Sequence, residues 1–280
     1  MTKRHLFIML IILLVTSPIQ YVFAAQAENK INPWKKFGFN LGGSFNLNDS
    51  RVQLGIKNLG VYIDAEELLD LDTTSTSFMF EAYWRFTKNF KHRLDFSWKS
   101  YHRSSETILG RDIDLGDITI PANSRVDSTF DIDVYRLSYS YSFFQDSRMD
   151  LAFSLGAYIV PVSFDLNAQG LINIVESESI TAPLPVVGLR FDFAITPKWF
   201  FKSHLDLFYL EIDDYRGTIA DIQIRLEYDA FKNVGFGLSA EYFKAQVESE
   251  GNDYPGVDFI GRIEYQNVGI LAYIKVYFGE

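Results

Sequence analysis

Four histidines in the chain of 280 residues could serve acid–base chemistry. His204 has the most reactive setting. Lys202 and Asp206 flank it at two-residue spacing. On a strand, that spacing puts a base and a carboxylate able to orient it on one face. Ser138, Ser140 and Ser142 repeat at the same spacing and could offer a nucleophile. A lipid hydrolase or acyltransferase centred on His204 is therefore one reading. The competing reading is an internal charge network, and it is preferred, because His204 falls near mid-strand and lipid chemistry belongs at a rim. His92 lies in a short basic turn, His102 shares the parity of apolar side chains, and His5 belongs to the leader. No Asp-Asp/His-Asp arrangement can be assembled from the spacing.

Other chemistry is excluded more simply. The chain has no cysteine, so disulfides, thiolate metal sites, a cysteine nucleophile and lipoprotein-type acylation drop out. Asp112, Asp114, Asp117 and Asp127 cluster in one stretch without a fixed ligand spacing. They read as a solvated loop in preference to a divalent-cation bridge to lipopolysaccharide. Gly235 and Gly237 are not a phosphate loop, since no helix follows. They read as small inward residues. No metal, cofactor or catalytic residue is expected, and the chain is not expected to be an enzyme.

The elements that must position these residues show in residues 78–102. Phe78, Phe80, Ala82, Trp84 and Phe86 alternate with Met79, Glu81, Tyr83, Arg85 and Thr87. After a basic turn, Leu94, Phe96 and Trp98 alternate with Arg93, Asp95, Ser97 and Lys99. Period-2 alternation makes one face apolar and the other charged. Similar segments follow. Tyr135, Leu137, Tyr139, Tyr141 and Phe143 oppose Arg136 and three serines. Val187, Leu189, Phe191 and Phe193 oppose Arg190 and Asp192. Trp199, Phe201, Leu205 and Leu207 oppose Lys202, His204 and Asp206. Ile222, Ile224, Leu226 and Tyr228 oppose Arg225 and Glu227. Short connections at 87–91, 145–148, 196–198 and 229–233 alternate with longer ones at 103–129, 167–181, 211–217 and 248–256. Residues 61–72 are an acidic stretch expected to form a helical turn or structured loop outside a membrane.

The expected fold is all-β: a transmembrane antiparallel up-and-down barrel of ten strands, over residues 37–280. The apolar parity flips after residue 50, to Val52, Leu54 and Ile56, and breaks again at 266–269. Read as bulges or turns, these breaks leave eight or twelve strands open. A β-sandwich is disfavoured because its core would have to hold the charged parity, whereas strands with lipid on one face must close. The expected lumen lining is Glu81, Arg85, Arg93, Asp95, Lys99, Arg136, Arg190, Asp192, Lys202, His204, Asp206, Arg225 and Glu227. Trp34, Trp84, Phe86, Phe143, Trp199 and Tyr228 are expected to form an aromatic girdle at the short-turn interface.

Residues 1–27 read as a signal peptide. Lys3, Arg4 and His5 precede ten apolar residues (6–15), too few to span a bilayer as a helix, and cleavage would follow Ala24 or Ala27. Residues 28–36 would be a periplasmic leader. Removing Lys3 and Arg4 leaves 24 basic against 36 acidic residues, a net of −12, which disfavours nucleic acid as a partner. The last strand alternates Ile270, Ala272, Ile274, Val276 and Phe278. An aromatic there resembles the signal read by the barrel-assembly machinery, although Gly279 and Glu280 follow it. Expected partners are outer-membrane lipid, lipopolysaccharide and that machinery. Expected location is the outer membrane of a Gram-negative bacterium, with both termini periplasmic.

The runs 80–98, 135–144, 181–201 and 211–243 resemble a widespread, largely uncharacterised family of Gram-negative outer-membrane β-barrel proteins. The resemblance implies a fold and a location and brings no catalytic residues. The inward charges nearly balance, so the lumen is expected to be largely plugged, with surface loops left for envelope or partner contacts. A small channel for ions or polar solutes is the alternative.

Overall fold

The computed structural model describes residues 33–54, 61–114, 119–169, 174–212, 215–249 and 261–279. The expected signal peptide lies outside the described residues, as do residues 28–32. The elements are β1 (Phe37–Leu54), β2 (Val61–Asp64), α1 (Ala65–Leu68), β3 (Thr74–Arg85), β4 (His92–Ile108), β5 (Ile113–Asp114), β6 (Thr119–Ile120), β7 (Arg125–Gln145), β8 (Met149–Gln169), β9 (Ile174–Ala194), β10 (Trp199–Ile212), β11 (Tyr215–Tyr228), β12 (Val234–Ser249) and β13 (Gly261–Phe278).

Ten of these strands form a closed antiparallel barrel in the order β1-β3-β4-β7-β8-β9-β10-β11-β12-β13. The seam joins first strand to last, in unbroken register from Phe37 opposite Phe278 to Leu54 opposite Gly261. β2 pairs with residues 51–54 of β1. β5 and β6 form a small separate hairpin. Among the described residues, one register shift interrupts the β7–β8 ladder between Ser142 and Phe144. It leaves both Phe143 and Phe144 on the outer wall.

Thirty large hydrophobic side chains among the described residues are exposed. Most of them form one continuous band, far more than the few hundred Å² a soluble monomer leaves in a patch. On β7 the band runs from Tyr135 to Phe143 and on β13 from Val268 to Phe278. At about 3.4 Å per residue and a tilt of about 40°, that is a belt about 21–26 Å tall.

The strands are longer than this belt, and above it their pattern inverts. Outward residues of β7 are apolar from Tyr135 to Phe143 but polar at Arg125, Asp127, Thr129, Asp131 and Asp133. Inward residues change at the same level, from Arg136, Ser138, Ser140 and Ser142 to Val126, Phe130, Ile132 and Val134. The other strands switch at matching register. Outward Val268 gives way to Gln266, Tyr242 to Lys244, Ile222 to Ala220 and Thr218, and Leu47 to Asp49. The expected bulges near 50 and 267 are therefore not there. β1 and β13 run straight through, and Val52 and Ile263 face inward where the outer wall has become polar. The same inversion corrects the loop at 103–129. β4 continues to Ile108 and β7 begins at Arg125, since Tyr101, Val126 and Phe130 fill the interior there.

Small residues shape the interior wall. A Cβ on Gly237 would lie 2.1 Å from Tyr273 Cζ, and one on Gly188 would lie 2.0 Å from Asp206 Oδ1. Tyr273 lies flat against bare backbone. Gly237→Val should force that ring aside, at a cost of about 1–3 kcal/mol as for other overpacked interiors. Urea titration of the purified, folded protein checks this, and a midpoint equal to wild type would contradict it.

Candidate functional site

The belt half of the interior is a lattice of charges. At the short-turn end, Arg85 reaches Asp150 (2.7 Å) and Asp192 (3.4 Å), and Arg190 reaches Asp150 (3.1 Å) and also pairs with Asp192. Arg93 joins Asp192 (3.4 Å) and pairs with Asp95, while its guanidinium lies over the Tyr83 ring at 4.3 Å. Beside this group, Glu227 accepts from Lys202 (2.8 Å), Lys275 (2.7 Å) and the Tyr273 hydroxyl (2.9 Å).

Further up, the pairs cross the lumen. Arg225 on β11 holds Glu81 on β3 through two hydrogen bonds of 2.5 and 2.6 Å, and Asn40 donates to the same carboxylate at 2.9 Å. Lys99 on β4 holds Glu241 on β12 at 2.5 Å, and Gln223 donates to Glu241 at 2.8 Å. Arg136 on β7 donates to Asp206 on β10 at 2.6 Å. Tyr158 bridges Asp206 (3.1 Å) and Asp221 (2.7 Å). These contacts join Arg85, Arg93, Lys99, Arg136, Arg190, Lys202, Arg225 and Lys275 with Glu81, Asp95, Asp150, Asp192, Asp206, Asp221, Glu227 and Glu241. Asp229, 2.6 Å from Lys275, adds a ninth anion at the turn end. Eight cations thus meet nine anions, and each cation in the lattice has an anionic partner, as a low-dielectric interior requires.

Every residue expected to line the lumen faces this interior. Sequence reading missed Asp150, Lys275 and Tyr158. Lys275 stands between outward Ile274 and Val276, and Asp150 precedes outward Leu151, so the parity was there to read. Asp150 was overlooked because it abuts a turn.

The His204–Asp206 pair does not form. The Asp206 oxygens are taken by Arg136, Tyr158 and Ser154 (3.2 Å). The acid near His204 is Asp221 on β11, 3.4 Å away. None of the three serines is hydrogen-bonded to His204. Ser140 donates to Asp95 (3.4 Å), and Ser142 accepts from Arg190 (3.1 Å). His204 lines a cavity of about 50 Å³, room for a few waters. Among the described residues, no group of three or more His, Asp or Glu side chains could hold a metal.

Above the charges lies an apolar core. Tyr101, Phe130, Tyr158, Phe243 and Tyr265 meet across the lumen with Val52, Ile132, Val160 and Ile263. Leu69 and Leu71 beyond α1, and Leu109 and Ile120 from the next connection, are buried in the same core. Arg103 fastens α1 to the wall. It donates to Glu66 (2.6 Å) and to Ser50, and stacks on Phe130. Trp34 lies buried at the opposite end. This side chain is not in the outer girdle: it is 3% exposed, packs on Ala194 and Phe200, and donates to the Asp146 carbonyl at 2.8 Å. Parity could not reveal this, because Trp34 precedes the first strand. Trp84, Phe86, Phe143, Trp199 and Tyr228 lie on the outer wall near the short turns.

Two histidines lie outside the lumen. His92 opens β4, with Nδ1 2.6 Å from the Tyr139 hydroxyl. His102 stands just above the belt, with Nδ1 2.9 Å from Asp131 Oδ1 and Nε2 2.8 Å from Ser100 Oγ.

No protein-family model and no curated protein sequence matches the chain. Among solved structures, the outer membrane protease OmpT of Escherichia coli is similar in fold, with a TM-score of 0.54 at 9% identity, over 87% of this chain and 97% of that one. The attachment invasion locus protein Ail of Yersinia pestis gives 0.36 at 13% identity, over 85% and 98%. The translocator domain of the autotransporter NalP of Neisseria meningitidis gives 0.39 at 9%, over 88% and 89%.

Removing one member of a buried pair strands the other. Glu81→Ala should cost about 3–5 kcal/mol by leaving Arg225 uncompensated, and adding Arg225→Ala should restore part of that loss. Glu106→Ala, in the exposed pair with Arg125, should cost under about 1 kcal/mol. Equilibrium unfolding in urea measures all three. Equal costs for the two single substitutions would contradict the lattice.

Proposed function

We propose that the chain is an integral barrel of a Gram-negative outer membrane with a lumen closed to solutes. The apolar belt supports this placement, since its height matches the outer wall of barrels that cross that membrane. Its edges support it too: Trp84, Trp199 and Tyr228 ring one side, and Trp98 with Tyr135 marks the other. Closure leaves no strand edge to face hydrocarbon. Short turns then face the periplasm, with both chain ends, and the last strand ending near Phe278 is what an assembly machinery would engage. Above the belt, polar outer walls and loops remain for lipopolysaccharide or a partner.

The observation that carries the closed lumen is the stack of three seals. Trp34 closes the turn end, cross-lumen ion pairs fill the middle, and an apolar core with Leu69 and Leu71 fills the loop end. In this reading the lumen holds charge for packing and performs no chemistry. The small charged cavity favours a second reading, a narrow path for ions or small polar solutes. Purified protein in planar bilayers should show no discrete current steps. Reproducible open steps would replace the closed reading with the channel.

A further inference from the structure

We propose that Ser100, His102 and Asp131 form a hydrolase site for lipid acyl esters on the outer wall of the barrel. The proposal rests on the membrane placement above for its substrate, and on geometry alone for its chemistry.

Ser100 Oγ donates to His102 Nε2 at 2.8 Å, and His102 Nδ1–H donates to Asp131 Oδ1 at 2.9 Å. The two contacts use opposite nitrogens of one ring. A carboxylate on Nδ1–H fixes the tautomer that leaves the Nε2 lone pair facing the hydroxyl. The strands impose this arrangement. Ser100 and His102 are two apart on β4, so they share the outer face, and Asp131 stands directly opposite His102 in the β4–β7 register. All three sit on paired strands and not on a loop, which favours precise geometry.

The site straddles the belt edge. Ser100 is buried and stands opposite Phe78, with Trp98 as its neighbour on the same face. Trp98 is fixed by its Nε1–H to Asp133 (2.9 Å) and is stacked on Tyr135, which makes a flat apolar floor. The other two groups face water: the His102 side chain is 64% exposed and the Asp131 side chain 38%. A nucleophile at the apolar edge with its base on the polar side meets the chemistry of a lipid's carboxylic ester, which joins acyl chain to headgroup at that depth.

The steps balance without a further reactant beyond water. Ser100 Oγ attacks the ester carbonyl carbon while His102 Nε2 takes its proton. The tetrahedral adduct expels the alcohol, which receives that proton from Nε2, and leaves an acyl-serine. Water then attacks the acyl carbon, gives its proton to Nε2, and the fatty acid departs as Ser100 recovers its proton. The backbone around Ser100 is committed to ladders with β3 and β7, so no preformed backbone donor awaits the oxyanion. Turnover should therefore be slow, since such a donor contributes about 10²–10³-fold.

The test uses the full-length protein, purified and folded in detergent, with a fluorophosphonate probe. Mass spectrometry should find the adduct on Ser100, weakened in Asp131→Asn and lost in His102→Ala. Fatty acid release should be measured from phosphatidylethanolamine vesicles and from lipopolysaccharide, so that the two arms identify the lipid. Ser100→Ala and His102→Ala should lower release by at least about 10²-fold, and His204→Ala should not change it. The proposal is overturned if wild-type Ser100 takes no label, if His102→Ala labels equally, if neither lipid is cleaved, or if release survives Ser100→Ala. Each variant must keep the folded-barrel gel mobility. The labelling arm needs no membrane, so its failure is distinct from a failure of the outer-membrane reading.

Discussion

Charge pairing inside a closed wall is the constraint on which this molecule rests. An isolated ion there would cost several kcal/mol even after relaxation. The structure meets the constraint by crossing the lumen. Glu81 with Arg225 and Lys99 with Glu241 tie nearly opposite walls, so pairing and cross-bracing are one feature. Tyrosines 158 and 273 supply further donors to Asp206, Asp221 and Glu227. Gly188 and Gly237 give those groups space.

The second constraint acts from outside. On each long strand the outer wall passes from apolar to polar, and the two faces exchange character at that level. Tyr135 and Arg136 on β7, and Val268 and Asn267 on β13, stand on one side of the change; Asp133 and Val134, and Gln266 and Tyr265, stand on the other. Inside, the change separates a polar lattice from an apolar core. The charged half fills the lumen with specific pairings, and the other half fills it mostly with apolar side chains.

These two facts set how much was legible in the sequence. Within the belt, period-2 parity separates the two faces of the wall, and Glu81, Arg85 and Asp192 face inward. Above the belt the same rule misread Val52 as a break and Val126 as loop, because it assumed one apolar face along the whole strand. Two further features had no period to betray them. Trp34 lies before the first strand, and its burial depends on the Asp146 turn reaching it. The contact between Ser100, His102 and Asp131 depends on the cross-strand register of β4 and β7, which parity alone does not supply. His204, by contrast, had a carboxylate at the expected spacing, yet Arg136 competes for Asp206 more strongly.

The seam between β1 and β13 bears on how the chain can assemble. Phe37 pairs with Phe278 across nearly the whole chain, so its loop-closure entropy is among the largest in the molecule. Hairpins such as β3–β4 and β7–β8 are local and can zip early, while contacts this distant in sequence are slow to form. Closure should be the last and rate-limiting event, and until it occurs β1 and β13 each present an unpaired edge. Lys36 and Gly279 are joined by a backbone hydrogen bond of 3.1 Å at the very end of that seam. The final step that completes the cylinder is thus the one that also brings Trp34 to its seat beneath the lumen. A folding intermediate would be open along one side and unsealed at one end, and both defects would disappear together.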